Sequence, residues 1–283
     1  MIYKQFQDMP LSALGYGCMR FPTVDGDAAA VNEEEAAKLI ARAMEGGVNY
    51  YDTAWGYHGG NSEAVMGRIL KSYPRDSFYL ADKFPGYDLS NMDKVEEIFD
   101  KQLEKCQVEY FDFYLFHNVC EMNIAAYLDP KYHIYDSLVA RKKAGQIKHL
   151  GFSAHGNLDT MRRFLEAYGK DMEFCQIQLN WLDWEFQDAR AKVELLDSWG
   201  IPVWVMEPLR GGKLAKLSEE DAAKLRELRP GEGVPAWAFR FIQSLPSVGV
   251  TLSGMSTMDQ VEDNLRTFSE EKPLSSQEAE ALL

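Results

Sequence analysis

Cysteine is scarce in this 283-residue chain: Cys18, Cys106, Cys120 and Cys175 stand far apart, with no C-x-x-C pair. That spacing offers neither a structural zinc site nor a disulfide framework, and it predicts reduced, mostly buried thiols. Positive charge is also in deficit. Thirty Lys and Arg face 44 Asp and Glu, a formal net charge of −14. Coating nucleic acid is thereby disfavoured, because phosphate binding draws on a basic stripe, although a local cationic pocket stays open. No apolar run approaches the roughly 18 residues of a membrane span. The segment from Met1 to Pro10 lacks the basic-then-apolar layout of a signal peptide, so the chain reads as cytoplasmic. A G-x-G-x-x-G phrase following an early strand and opening a helix is missing as well, which counts against a Rossmann domain.

What is present is apolar sequence in quantity: 46% of residues are hydrophobic and 26% charged, enough for a large core and too much for disorder. Short β-rich runs alternate with segments whose apolar residues recur three or four apart. The predicted strands are Tyr50 to Thr53, Phe78 to Lys83, Phe113 to His117, His149 to Ser153, Phe174 to Leu179, Val203 to Glu207 and Val248 to Ser253, with an earlier one near Leu11 to Gly15. Helical spacing appears in Ala36, Leu39, Ile40 and Ala43; in Met92, Val95, Phe99, Leu103 and Cys106; in Leu158, Met161, Leu165 and Tyr168; and in Val261, Leu265 and Phe268. Eight strand-helix steps in a length close to the ~250 residues typical of a (β/α)8 TIM barrel predict that parallel eight-stranded fold. No linker composition divides the chain, so residues 1–283 are expected to form one domain.

Active sites in such barrels form at the C-terminal ends of the strands, so polar residues that end apolar strands are the ones to question. Tyr50-Tyr51-Asp52 ends a strand with an acid and runs into an aromatic loop that includes Trp55 and Tyr57. Lys83 ends the next strand, His117 the one after, and Gln176 and Gln178 share one face of a later strand. Taken singly, each suits an ion pair or a rim position. Together they converge on one barrel mouth, where Asp52 would hold Lys83 charged and Lys83 would lower the pKa of Tyr57. An ordinary phenol, with a pKa near 10, is a reluctant acid or base and needs such help.

These residues lie in phrases that resemble the aldo-keto reductase family along nearly the whole chain. The matching stretches are Tyr51-Asp52-Thr53-Ala54 with Tyr57 and Asn61-Ser62-Glu63, Ala81-Asp82-Lys83, Phe113 to His117, Gly151-Phe152-Ser153, and Glu207 to Gly212. The resemblance implies a barrel that binds a nicotinamide cofactor in extended form and passes a hydride between it and a small carbonyl or alcohol substrate. Tyr57 would be the general acid, supported by Lys83 and Asp52, with His117 orienting the carbonyl oxygen. No metal is implied.

By the same resemblance, Ser153 and Gln176 would bind the nicotinamide carboxamide. Gly17, Cys18, Met19 and Arg20 would line the nicotinamide side, with Asp52 close by. Pro208, Leu209, Arg210, Gly211 and Gly212 form the expected pyrophosphate loop, in which glycines admit phosphate to the backbone and Arg210 supplies a cation. Ser253, Gly254, Met255 and Ser256, followed by Gln260, Asp263 and Asn264, match the adenosine end. Four positions depart from the family pattern. Met206 stands where an aromatic side chain usually stacks on the nicotinamide, Ala154 replaces an Asn, and Gly254 and Gln260 replace the Lys and Arg that many relatives aim at a 2′-phosphate. Family habit favours NADP(H), and NAD(H) stays open.

Ser62-Glu63 reads as a helix start, Ser62 supplying the N-cap. Tyr57, Trp55, Phe84, Tyr87, His117 and Trp181 are expected to wall a hydrophobic substrate site. His58 and His155 sit on mouth loops and receive no role. Relatives with similar phrases often continue into a ferredoxin-like tail; here the sequence stops at Leu283, as a short or shortened version, and the cysteine spacing cannot hold an iron-sulfur cluster. A rival reading is a nicotinamide-binding regulatory or electron-transfer subunit with little turnover. The sequence does not reveal the oligomeric state.

Overall fold

The computed structural model describes residues 1–282. Ten strands form: β1 (Tyr3–Phe6), β2 (Met9–Ser12), β3 (Leu14–Gly17), β4 (Tyr50–Asp52), β5 (Tyr79–Phe84), β6 (Phe111–Val119), β7 (Ile147–Ala154), β8 (Cys175–Gln178), β9 (Val203–Met206) and β10 (Val248–Ser253). The last eight close a parallel barrel in chain order, β10 pairing with β3. The predicted barrel is therefore the observed one, with a correction at its start. Leu11 to Gly15 straddles the end of β2 and the beginning of β3, and the chain before it makes an antiparallel hairpin that the sequence reading did not anticipate.

Alternation along the strands sorts the side chains into two layers, since successive residues face opposite sides of a strand. Tyr50, Ala81, Phe113, Leu115, Phe174, Trp204, Val250 and Leu252 fill the barrel interior together with Phe6 and Leu11 of the hairpin. Tyr51, Leu80, Phe84, Tyr114, Phe116, Ile177 and Val205 belong to the outer core under the helices. Phe6 closes the floor, its ring 5.1 Å from Trp204, 5.1 Å from His149 and 5.7 Å from Phe113. Below it, Glu173 ties the hairpin to the barrel, accepting from Gln7 Nε2 at 2.9 Å and meeting His149 Nδ1 at 2.6 Å and the Lys142 ammonium.

The helices form where spacing predicted them, each burying one stripe. Helix Glu33–Glu45 buries Ala36, Leu39, Ile40 and Ala43, and the Asn32 side chain caps it by accepting from Glu35 N. In the second predicted segment a short 3-10 turn, Leu89–Asn91, delays the helix to Val95–Cys106, so Met92 lies before its start although it is buried. Phe268 likewise falls just past helix Met258–Thr267. Helices Ser62–Leu70 and Val95–Cys106 approach closely at Gly67, where a Cβ would lie 2.4 Å from the Lys105 carbonyl oxygen. That approach brings Glu63 and Lys105 together behind the barrel wall. Among the described residues no helix is long and apolar enough to cross a membrane. The four cysteines are buried and free.

Candidate active site

Strand alternation and pairing place the polar strand ends side by side. Asp52 ends β4 beside Gly17 of β3, and Lys83 points inward from β5 two residues beyond Ala81, the β5 partner of Asp52. Between Phe116 and Val119 the register of β6 shifts against β7, and Asn118 adopts a left-handed φ of 62°. Such a bulge re-aims side chains at a strand end, here His117 and Asn118 at the mouth. Tyr57 arrives from the loop after β4, its N–H donating to the Ala54 carbonyl at 3.1 Å.

The Lys83 ammonium is fully buried and donates to Asp52 Oδ1 at 2.6 Å and to the Thr53 carbonyl at 2.7 Å. It lies 5.1 Å from the centre of the Tyr57 ring. The His117 ring stands edge-on to Tyr57, centroids 6.3 Å apart, and to Tyr87 at 5.2 Å. Asp52 Oδ2, His117 Nδ1 and Gln176 Oε1 are buried with no hydrogen-bond partner among the described residues. Buried polar atoms are normally satisfied, so three bare ones around one space suit a ligand that supplies the partners.

Burial acts first on every titratable group of the cluster. It would lower Lys83, but Asp52 and Tyr57 outweigh it and raise the ammonium above its ordinary value. Asp52 is raised, burial exceeding the pull of Lys83. His117 falls well below the usual imidazole value because of burial and then the charge of Lys83, and is a neutral ring at neutral pH. Tyr57 corrects the sequence reading. Lys83 lowers its pKa as expected, yet burial is the larger effect and the phenol sits above its ordinary value. Tyr57 is thus a protonated donor whose neighbouring ammonium eases loss of the proton.

Behind Lys83 lies a second polar layer. Gln102 Nε2 donates to the Lys83 carbonyl at 3.0 Å and to Glu63 Oε1 at 2.9 Å, and Lys105 meets Glu63 Oε2 at 2.7 Å. Ser62 corrects another reading: Asn61 occupies the N-cap position, while the Ser62 hydroxyl pairs with Thr53 Oγ1 at 2.9 Å and the Cys18 carbonyl at 3.2 Å. The start of that helix is therefore anchored to the strand ends by Ser62 and Glu63.

Above the cluster opens a cavity of about 710 Å³. Gly17, Met19, Arg20, Asp52, Tyr57, His117, Gln176 and Met206 line it at and near the Lys83 end. Pro208, Leu209, Gly211 and Gly212 follow, and Ser253, Gly254, Ser256, Gln260, Asp263 and Asn264 line the far end. The loop after β9 takes left-handed φ at Glu207, Arg210, Gly211 and Gly212, so its backbone turns repeatedly. A Cβ on Gly212 would meet nothing within 4 Å, which leaves open space above that backbone. Such turns present N–H groups to an anion.

Other expected residues lie outside the wall. Ser153 is buried, its hydroxyl accepting from Asn118 N at 2.8 Å. Met255 is buried, with its carbonyl accepting from Tyr16 OH at 2.6 Å. Arg210 turns away to Asp183 at 3.5 Å and over Phe186. Trp55 lies beneath the Lys105 ammonium, Phe84 packs on Tyr127 in the outer core, and Trp181 packs against the same outer layer. Asn118, His155, Gln178 and Glu207 line the cavity without having been assigned to it, and Tyr87 joins them from the expected aromatic set. The alternation that singled out Gln176 already placed Gln178 on its face. Among the described residues no three His, Cys, Asp or Glu side chains converge as metal ligands.

Residues 13–282 match the model of the Aldo/keto reductase family, and the chain belongs to that family of NAD(P)H-dependent oxidoreductases. It is 24% identical to L-galactose dehydrogenase of Arabidopsis thaliana across 93% of this chain and 86% of that protein. With the NADH-specific methylglyoxal reductase of Escherichia coli K12 it shares 26% identity over 73% of this chain and 66% of the relative. A further relative, a probable aldo-keto reductase of Glycine max, is matched over 58% of its own length. Among solved structures, the holo form of an aldo-keto reductase from Bacillus halodurans superposes with a TM-score of 0.81 at 23% identity, covering 100% of this chain and 95% of that one. An aldo-keto reductase of Klebsiella pneumoniae in complex with NADPH gives 0.75 at 17% identity, covering 100% and 94%.

Proposed function

We propose that the chain reduces the carbonyl group of an aldehyde or ketone with a nicotinamide dinucleotide, Tyr57 giving the proton. The observation that carries this reading is the grouping of Lys83, Asp52, Tyr57 and His117 at one end of a cavity that continues past the β9 and β10 loops. When bound, the cofactor supplies the hydride. The bare Oε1 of Gln176 suits the N–H of its carboxamide, with Ser153 beside it, and Met206 and Gly17 flank that end. The open backbone at Gly212 suits its phosphates, and Asn264, braced on Ser253 Oγ at 2.9 Å, suits its adenine.

Tyr57 donates to the carbonyl oxygen as negative charge builds there, a step worth about 10²- to 10⁴-fold in rate. Lys83 stabilises the phenolate left behind, and Asp52 keeps that ammonium in place. Neutral His117 orients the same oxygen through a ring N–H. Tyr87, Asn118, His155 and Gln178 surround this end, a mixed and largely polar set that favours a small carbonyl compound bearing hydrogen-bonding groups over a purely apolar one.

The test follows NADH and NADPH absorbance with methylglyoxal, glyceraldehyde, benzaldehyde and a quinone, in the wild type and Tyr57→Phe. Cofactor oxidation that collapses in the variant supports the reading. Tight cofactor binding with no turnover on any of the four would favour the binding-subunit alternative.

A further inference from the structure

Lys83 is held at its main chain as well as at its ammonium. Its backbone N–H donates to the side chain of the preceding residue, Asp82 Oδ1, at 2.8 Å, and its carbonyl accepts from Gln102 Nε2 at 3.0 Å. With Lys83 facing the barrel interior, strand alternation turns Asp82 outward, beneath helices Ser62–Leu70 and Val95–Cys106. There the Asp82 and Glu63 side chains are in hydrogen-bonding contact, and neither carboxyl is exposed to solvent. Gln102 is fixed in orientation: its Oε1 accepts from Tyr114 OH at 2.5 Å while its Nε2 serves both Glu63 Oε1 and the Lys83 carbonyl.

The charges around these two acids leave room for a proton. Among the described residues Lys105 is the one cation that pairs with either of them, at Glu63 Oε2. The Lys83 ammonium faces the other side of the strand and is committed to Asp52 and the Thr53 carbonyl. Two carboxyls sharing one dry site do not both ionise. Burial and then Glu63 push Asp82 well above the ordinary carboxylate range, while Lys105, which also donates to the Gly60 carbonyl at 3.0 Å, marks Glu63 as the charged member. The Cys106 thiol, 3.8 Å from Asp82 Oδ2, is raised by burial and stays neutral beside them.

We propose that Asp82 is a positioning residue for the reaction: as a neutral acid it donates to Glu63 and accepts from the Lys83 N–H, and the chain from Lys105 through Glu63 and Asp82 sets the height of the Lys83 ammonium beneath Tyr57. The inference rests on the proposed function, in which Lys83 supports Tyr57. Asp82 grips the amide of Lys83 and Gln102 its carbonyl, so the two helices behind the barrel wall decide where the strand end stands. Such a grip matters because a displacement of about 1 Å at a supporting group costs about 10²-fold in rate. A charged Asp82 could not serve, since it would have no proton to give Glu63 and would repel it.

The experiment compares the wild type, Asp82→Ala and Asp82→Asn by single-turnover hydride transfer to methylglyoxal, by cofactor titration and by difference infrared spectroscopy at neutral pH. Asp82→Ala should slow hydride transfer by about 10- to 10²-fold with cofactor affinity unchanged. Asp82→Asn, whose amide donates to Glu63 and accepts from the Lys83 N–H in the same places, should recover most of that rate. The spectrum of the wild type minus Asp82→Asn should show the carbonyl stretch of a protonated carboxyl. Should the alanine variant not fold, Asp82→Ser, too short to reach Glu63, takes its place with the same expected loss. Asp82→Asn as slow as Asp82→Ala, or a difference spectrum with only an ionised carboxylate, overturns the neutral acid. A folded Asp82→Ala that is destabilised in urea yet undiminished in rate overturns the positioning role. A wild type that reduces no carbonyl overturns the reductase reading and that role with it, while the infrared band still decides where the proton lies.

Discussion

Lys83 Nζ lies 2.6 Å from one carboxylate oxygen of Asp52, while the other oxygen of that carboxylate, also buried, has no partner among the described residues. One acid therefore does two things. Its first oxygen fixes the ammonium beneath Tyr57, and its second is left bare in a side chain that forms part of the cavity wall.

Asp52→Asn should be destabilising as well as slow. The substitution leaves a buried ammonium with the Thr53 carbonyl and a neutral amide, and breaking a buried pair from one side costs about 3–5 kcal/mol. Urea unfolding of the wild type and the variant measures it. A loss under about 1 kcal/mol would mean that the pair is solvated in solution.

On the proposed function, Tyr57→Phe should lower kcat for carbonyl reduction by about 10²- to 10⁴-fold with little change in cofactor affinity, because it removes the proton donor and keeps the ring. Single-turnover hydride transfer and a parallel cofactor titration separate the two. Equal losses in both would assign Tyr57 to binding.

The pH profile follows from the directions of the two shifts. His117 lies well below the ordinary imidazole value and Tyr57 above the ordinary phenol value, so neither changes charge near neutrality. The kcat/KM for reduction should be flat from about pH 6 to 9 and fall only in stronger alkali, as Tyr57 loses its proton. A break near pH 6.5 in reduction that disappears in His117→Gln would contradict this.

The barrel floor should be sensitive to acid. Burial would raise Glu173, but hydrogen bonds from His149, Lys142 and Gln7 outweigh it and hold its pKa down at about 2, against an ordinary 4.5. A carboxylate depressed in the fold stabilises above its unfolded value, so this contribution is present at neutral pH and is lost as the pH falls from 4.5 towards 2. Its size, screened because the group is partly exposed, is about 1–3 kcal/mol. Glu173→Gln should lower neutral-pH stability by that amount and flatten the acid limb of a thermal melting series.

Legibility from sequence followed periodicity. Seven barrel strands and four of the helices that cover them were readable because apolar spacing of two or of three and four survives folding unchanged. The hairpin escaped because its turn, at Gln7-Asp8, carries none of the Asn-Gly or Asp-Gly signals, although Gln7 takes a left-handed φ of 52°. Asp52, Lys83, His117 and Gln176 were found by strand-end position. Phe84 was misjudged where the same rule would have sufficed, since an inward Lys83 obliges its neighbour to face outward. Trp55 and Trp181 sit on loops, where no period applies. The fate of Arg210 was hidden for another reason: its partner Asp183 lies 27 residues away in the chain, and no local pattern connects them.

The Phe6 hairpin makes the barrel a vessel with one opening. On the proposed function the dinucleotide lies stretched across that opening, from Tyr57 to Asn264, while the reacting carbonyl must reach the region beside Tyr57 through the same aperture. Traffic then has an order built into it: the long occupant goes in first and leaves last, and the small one comes and goes past its exposed edge. Trimming the chain through Phe6 would strip that floor and expose the apolar interior, Phe113 and Trp204 first, to water at the end opposite the site.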